Sequence, residues 1–287
     1  MAVLYLEEET REYDPLERRG YLSDFRSLQD RDSTYVFLFG KQQAGKTVLI
    51  SSLIYHMGVD NDGALETRRR HDNLQGAAYL KSLYKSVREG YFMDRTSVGT
   101  LYELDLKYTP DKPKIPMNLT FLEMSGEDLS KVELSRHSLG KLPDNIDVFM
   151  NCPDIDLVFL LVTPYDEAAR QDAMMIDFLD YLKEKKPDYE FGNILLVITK
   201  WDRYDGMHHN NLEAFVKEKM PLVYSRIKAE NGSIAKFSIG NVSENNDHIL
   251  RLNDERPDAL KRWLYKRITG KKIKSNTSFL DRLSELF

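Results

Sequence analysis

The chain has 287 residues, 41% of them hydrophobic, which is enough for one large α/β domain with additions or for two small domains, and one core is expected. Its 41 Lys and Arg stand against 46 Asp and Glu, a formal charge of −5 that excludes a general nucleic-acid footprint. The single cysteine, Cys152, can form no intrachain disulfide and suits a reducing cytoplasm, and no apolar run approaches the length needed to span a bilayer. The first residues, Val3-Leu4-Tyr5-Leu6 followed by three glutamates, lack the basic start and apolar length of a secretory leader.

In chain order, residues 1–33 read as a polar, charge-dense extension. An apolar β-type run, Tyr35-Val36-Phe37-Leu38-Phe39, leads into Gly40-Lys41-Gln42-Gln43-Ala44-Gly45-Lys46-Thr47, a full match to G-x-x-x-x-G-K-[ST]. Val48-Leu49-Ile50 then opens a helix that is expected to stop near Met57-Gly58. Strand, turn and helix in this order make a cradle for a triphosphate, because backbone N–H groups and the positive end of the helix converge on one concavity. Lys46 would reach the outer phosphates and the Thr47 hydroxyl would ligate Mg²⁺; the backbone of Gly40, Gln42, Gln43, Ala44, Gly45 and Val48 completes the cradle.

Asp60-Asn61-Asp62-Gly63 reads as a loop, and Arg68-Arg69-Arg70 as a solvated basic run. Leu74, Ala77, Leu80, Leu83, Tyr84 and Val87 recur at helical steps over residues 73–89, a helix inserted in the region of about 60–95 that lengthens the first mobile loop. Residues 101–108 and 118–123 alternate and read as a hairpin. Residues 157–162 and 194–198 are continuous apolar runs, as in strands buried on both faces of a parallel sheet. Helices are expected over 167–185, 211–228 and 257–268, with a strand over 235–239. The expected fold is therefore α/β, a P-loop NTPase with a mostly parallel six-stranded sheet, one antiparallel hairpin strand, and helices on both faces.

Two strand ends decide the nucleotide. Glu123-Met124-Ser125-Gly126-Glu127 puts an acid at the tip of a buried strand, where it can hold Mg²⁺, and a glycine three residues on, whose N–H can approach the γ-phosphate. Thr199-Lys200-Trp201-Asp202 matches [NT]-K-x-D. The Asp202 carboxylate can accept from the N1–H and exocyclic amine of guanine, a donor pair that adenine lacks, while Lys200 would lie along the base.

On these residues the chain resembles the translation-factor-like, Ras-like class of P-loop GTPases over residues 34–268, with an Arf-like phosphate loop at Ala44-Gly45-Lys46-Thr47. The long insertion and the run from Leu83 to Thr96, with Arg88-Glu89-Gly90 before the threonine, are similar to bacterial double-GTPase-type proteins. The resemblance implies that Glu123 to Gly126 takes the place of D-x-x-G, Thr199 to Asp202 that of N-K-x-D, and Ser238-Ile239 that of the loop touching the guanine carbonyl. It also implies a switch threonine that closes on Mg²⁺. Thr96 and Thr100 both qualify, Thr96 being favoured because it leaves Thr100 to begin the strand. Arg95 beside it could stabilise transition-state charge in cis. Three departures stand out: Glu123 for the usual Asp, Gln42 where a glycine is common, and Glu127 where a glutamine orients the attacking water.

The expected function is GTP binding and Mg²⁺-dependent, slow GTP hydrolysis in a nucleotide-dependent switch, with GTP, GDP and Mg²⁺ as cofactors, a protein effector at the mobile loops, and a homodimer as a further arrangement. The alternatives are a nucleotide or small-molecule kinase, and a nucleotide-stabilised scaffold with vestigial hydrolysis. Residues 269–287 read as a separate tail; its basic stretch and apolar stripe suit docking on the domain, with membrane contact as a minor role.

Overall fold

The computed structural model describes residues 32–60, 62–68, 74–93, 101–124, 144–152, 155–204, 211–245 and 248–274. Strand β1 (Thr34–Phe39) is buried at all six positions and sits at the centre of the sheet, because both of its faces are covered by helices. The phosphate-loop turn leads to α1 (Lys46–Val59), then β2 (Gly63–Thr67), α2 (Leu74–Arg88), β3 (Leu101–Pro110), β4 (Met117–Met124) and α3 (Asp144–Met150). The second half adds β5 (Leu157–Pro164), α4 (Ala168–Lys185), β6 (Ile194–Thr199), α5 (Leu212–Lys219), α6 (Pro221–Ala229) and β7 (Ser233–Lys236). A small hairpin, β8 (Gly240–Val242) with β9 (Ile249–Leu252), precedes α7 (Glu255–Thr269).

Among the described residues, seven strands form the main sheet in the order β2-β3-β4-β1-β5-β6-β7. β1 pairs in parallel with β4 and β5, β5 with β6, and β6 with β7; β3 runs antiparallel to both β2 and β4, so it alone is reversed. The sheet is thus mostly parallel with one reversed strand, as the sequence predicts, but the described residues give it seven strands where six are expected. The additional one is β2, which falls where the sequence reads as loop and insertion. Its partner β3 is ten residues long and pairs with β4 along one side only, so Gly63 to Thr67 find a ladder partner on its other side, over residues 106–110, that local sequence does not announce.

Alternation along β1 sorts the core into two layers. Tyr35, Phe37 and Phe39 join the residues of α4, α5 and α6, with Phe39 stacked on Phe178 at 4.1 Å between ring centroids. Val36 and Leu38 face α1, α2 and α7. The helix expected over 211–228 is two helices: Pro221 has no N–H to continue α5 and instead starts α6. The buried Asp172 carboxylate on α4 accepts from Leu222 N at 3.1 Å and Val223 N at 2.9 Å, capping α6 from another element. The strand expected over 235–239 ends at Lys236, and Arg68 is half-buried rather than solvated. No helix among the described residues is long and apolar enough to cross a membrane.

Candidate functional site

At the carboxyl end of β1 the chain turns sharply under β5. A Cβ on Gly40 would lie 2.2 Å from the Val162 carbonyl oxygen, so only glycine lets the loop pass. Gln43 at φ 63 and Gly45 at φ 90 take the left-handed conformation, which curls the loop around a central space. Gly45 is the residue before α1, and among the described residues no side chain caps that helix. Its first N–H groups are left for a ligand, at the end where the helix dipole favours an anion.

Lys46 is 6% exposed and folds back over the loop, donating to Gly40 O at 2.8 Å and Lys41 O at 3.2 Å. Burial pushes its ammonium down to about 8, with the Glu123 carboxylate pulling the other way. A bound phosphate would restore the charge that burial opposes. Thr47 Oγ1 donates to Glu123 Oε1 at 2.6 Å. Glu123 is fully buried near the end of β4, so strand and helix bring a hydroxyl and a carboxylate oxygen together beside the phosphate loop. A hard cation such as Mg²⁺ takes oxygen ligands of this kind, and the extra methylene of glutamate does not keep its oxygen from reaching Thr47.

The guanine-type turn lies on the same sheet edge. Thr199 ends β6 and donates its hydroxyl to Ala44 O at 2.6 Å, which ties the turn to the phosphate loop. Lys200 is left-handed at φ 55, and Trp201–Arg203 forms a single 3₁₀ turn that presents an exposed Asp202. Trp201 packs edge-on to Phe215 at 5.2 Å, and the Lys236 ammonium stands 5.7 Å from its ring centroid. The Phe237 peptide bridges two elements: its N–H donates to Ile198 O at 2.8 Å and its carbonyl accepts from Trp201 N at 3.3 Å. That bridge sets Ser238, half-buried, and Ile239, buried, beside the turn. The role of Phe237 is carried by its backbone and left no mark in the sequence.

The structure therefore gathers Gly40, Gln42, Gln43, Ala44, Gly45, Lys46, Thr47, Val48, Glu123, Thr199, Lys200, Asp202, Ser238 and Ile239 on two adjoining turns and the neighbouring strand ends. Arg95, Thr96, Thr100, Gly126 and Glu127 lie outside the described residues.

Residues 37–147 match the family model described as Double-GTPase 1. No curated protein matches the chain in sequence. Among solved structures it is similar to the Roco2 RocCORdC protein of Methanosarcina barkeri bound to GDP, at 16% identity and a TM-score of 0.38; the match covers 89% of this chain and spans 55% of that one. It is also similar to a dimerization-deficient mutant of Toc33 from Arabidopsis thaliana, at 12% identity and a TM-score of 0.40, over 89% of this chain and 92% of that one. A structure of the chloroplast translocon components atToc33 and psToc159 matches at 13% identity and a TM-score of 0.44, over 90% and 93%. The family match takes in the phosphate loop and the β4 carboxylate, while the T-K-x-D turn lies beyond it on the same sheet. Over residues 37–147 the chain is thus similar to the double-GTPase proteins.

Proposed function

We propose that the chain binds guanine nucleotide and hydrolyses GTP with Mg²⁺, acting as a nucleotide-dependent switch. The observation that carries this reading is the Thr199 to Ala44 hydrogen bond, which fixes a T-K-x-D turn against a phosphate loop so that one nucleotide can span both. A kinase would use the loop but would have no task for that turn.

In this account the α1 N-terminus and Lys46 hold the β- and γ-phosphates, and Asp202 accepts from the guanine edge with Lys200 and the Ser238-Ile239 backbone around the base. Thr47 and Glu123 would hold Mg²⁺, which when bound neutralises phosphate charge. Gly126 would donate to the γ-phosphate. Thr96, or Thr100 in its place, would close on the metal, Arg95 would offset transition-state charge, and Glu127 would orient the attacking water. A carboxylate there is repelled by the γ-phosphate, so turnover would be slow. Ordering of these segments by GTP and their release on hydrolysis would present or withdraw a surface for a protein effector. The GTPase domain is assigned to residues 34–268, and its buried lone Cys152 suits a reducing, cytoplasmic setting.

Single-turnover hydrolysis tests the catalytic part. The full chain loaded with GTP should release phosphate in the presence of Mg²⁺ and not after chelation. Tight GTP binding with no hydrolysis would leave a scaffold rather than a switch.

A further inference from the structure

Among the described residues β2 is the outermost strand on one side of the sheet, and its hydrogen-bonding parity can be read directly. Asp111 N donates to Asp62 O at 2.8 Å and Arg68 N donates to Asp105 O at 3.0 Å. The register pairs Gly63 with Pro110, Leu65 with Tyr108 and Thr67 with Leu106. In an antiparallel ladder, alternate residues bond to the neighbour, so residues 62, 64, 66 and 68 turn their peptide groups toward β3. Pro110, which has no N–H, lies opposite Gly63, a position where none is needed. Gly63, Leu65 and Thr67 consequently point three N–H and three C=O groups outward, and among the described residues no hydrogen bond reaches them.

Sheet edges are usually blunted by proline, lysine, a bulge or a covering element. The run Asp62-Gly63-Ala64-Leu65-Glu66-Thr67-Arg68 holds neither proline nor lysine, and its register with β3 is unbroken. It is also self-complementary. A two-fold axis through Leu65 sets a second copy of β2 antiparallel to the first, with Gly63 opposite Thr67, Leu65 opposite Leu65 and Ala64 opposite Glu66. Asp62 of each copy then faces Arg68 of the other. No like charges stand directly opposite, and the outward-pointing residues are the ones that meet as hydrogen-bonded pairs.

We propose that this edge is a homodimer interface, in which two β2 strands pair across a two-fold axis at Leu65 and join two seven-stranded sheets into one. The partner is a second copy of this chain, selected by the Asp62 and Arg68 ends of the strand. A strand of this length buries less than a standard interface, so the dimer is weak and concentration-dependent. Two-fold pairing of this kind is isologous and closes at two copies.

Sedimentation velocity on the full chain over a concentration series tests the interface. The wild type should pass from monomer to dimer as concentration rises. Leu65→Pro removes one outward N–H and blocks the centre of the pairing while leaving every β2–β3 hydrogen bond in place, so it should stay monomeric and keep a cooperative melt. A wild type that stays monomeric throughout, or a Leu65→Pro variant that dimerises as the wild type does, overturns the proposal. A second experiment is independent of whether that variant folds. Asp62→Arg and Arg68→Asp each bring like charges together in their own homodimers but opposite charges in a mixed pair. Mixing the two should restore a dimer that neither forms alone, and a mixture no better than its components overturns the assignment of the register.

Discussion

The hydroxyl of Thr199 donates to the carbonyl of Ala44 at 2.6 Å, joining two turns that are 155 residues apart in sequence. Both residues are buried, Thr199 at 2% exposure and Ala44 at 1%, so the bond is shielded from water. Under the proposed function it would set the distance between the turn that grips phosphate and the turn that reads the base.

Thr199→Val keeps the branched shape and removes the donor. Leaving the Ala44 carbonyl unpaired in a buried site should cost about 1–2 kcal/mol of stability. With the two turns uncoupled, nucleotide affinity should fall about tenfold, the equivalent of ~1.4 kcal/mol. Thermal melts and titration calorimetry on the variant check both, with Thr199→Ser expected to behave as the wild type.

Lys46 predicts a pH dependence of the nucleotide-free protein. Burial lowers its folded-state value to about 8, from 10.5 in the unfolded chain, so the unfolded state holds more protons between these values and stability rises with pH across that window. The cost of burying the charge is fully present below about 8 and has gone by 10.5. A shift of this size corresponds to roughly 3 kcal/mol. The stability of Lys46→Met relative to wild type should therefore be most favourable at neutral pH and should decline as pH rises through the window. Urea denaturation at several pH values checks it, and the same variant should lose triphosphate binding by several kcal/mol.

Far from the nucleotide edge, α1 and α7 are joined by a buried ionic knot. Lys261, fully buried, lies between Asp60 and Asp258, with Nζ 2.8 Å from Asp258 Oδ1; Tyr108 donates to Asp60 at 2.9 Å and Arg262 Nε to Asp258 at 2.7 Å. Burial pushes Asp258 up, but hydrogen bonds from His56, Lys261 and Arg262 and the Lys261 charge outweigh it and hold the carboxyl below the usual range. Lys261→Met should cost about 3–5 kcal/mol at neutral pH, because Asp60 loses its cation, while the buried Asp258 carboxylate keeps Arg262 as its cationic partner. The deficit should shrink below pH ~4 as acid protonates them, since the wild type loses its Asp258 contribution as pH falls through that depressed value. Chemical denaturation across this range measures it.

The legible parts of the sequence were those in which a side-chain pattern and its flanks agree. The loop before α1 was bracketed by an apolar strand and a helix, and the T-K-x-D turn by a buried strand, so both turns and most strands could be placed. β2 could not, because Gly63 to Thr67 is short and half-exposed and is held by pairing along the side of β3 that faces away from β4 rather than by its own periodicity. The break at Pro221 was visible as a residue type but was overridden by helical spacing on either side. Left-handed Gln43 and Lys200 and the bridging peptide of Phe237 are backbone features imposed by tertiary contacts, which side-chain patterns do not encode.

The central claim is that Asp202 makes this a guanine-nucleotide site. Titration calorimetry of the nucleotide-free chain with GDP, ADP and xanthosine diphosphate, repeated on Asp202→Asn, tests it most directly. The account predicts that the wild type prefers GDP over ADP by at least about 100-fold, the scale of the two hydrogen bonds to a charged acceptor that adenine cannot make. It also predicts that Asp202→Asn moves the preference to the xanthine nucleotide, whose edge presents an acceptor where guanine has its amine. Equal affinity of the wild type for ADP and GDP, or an Asp202→Asn variant with unchanged base preference, would contradict it.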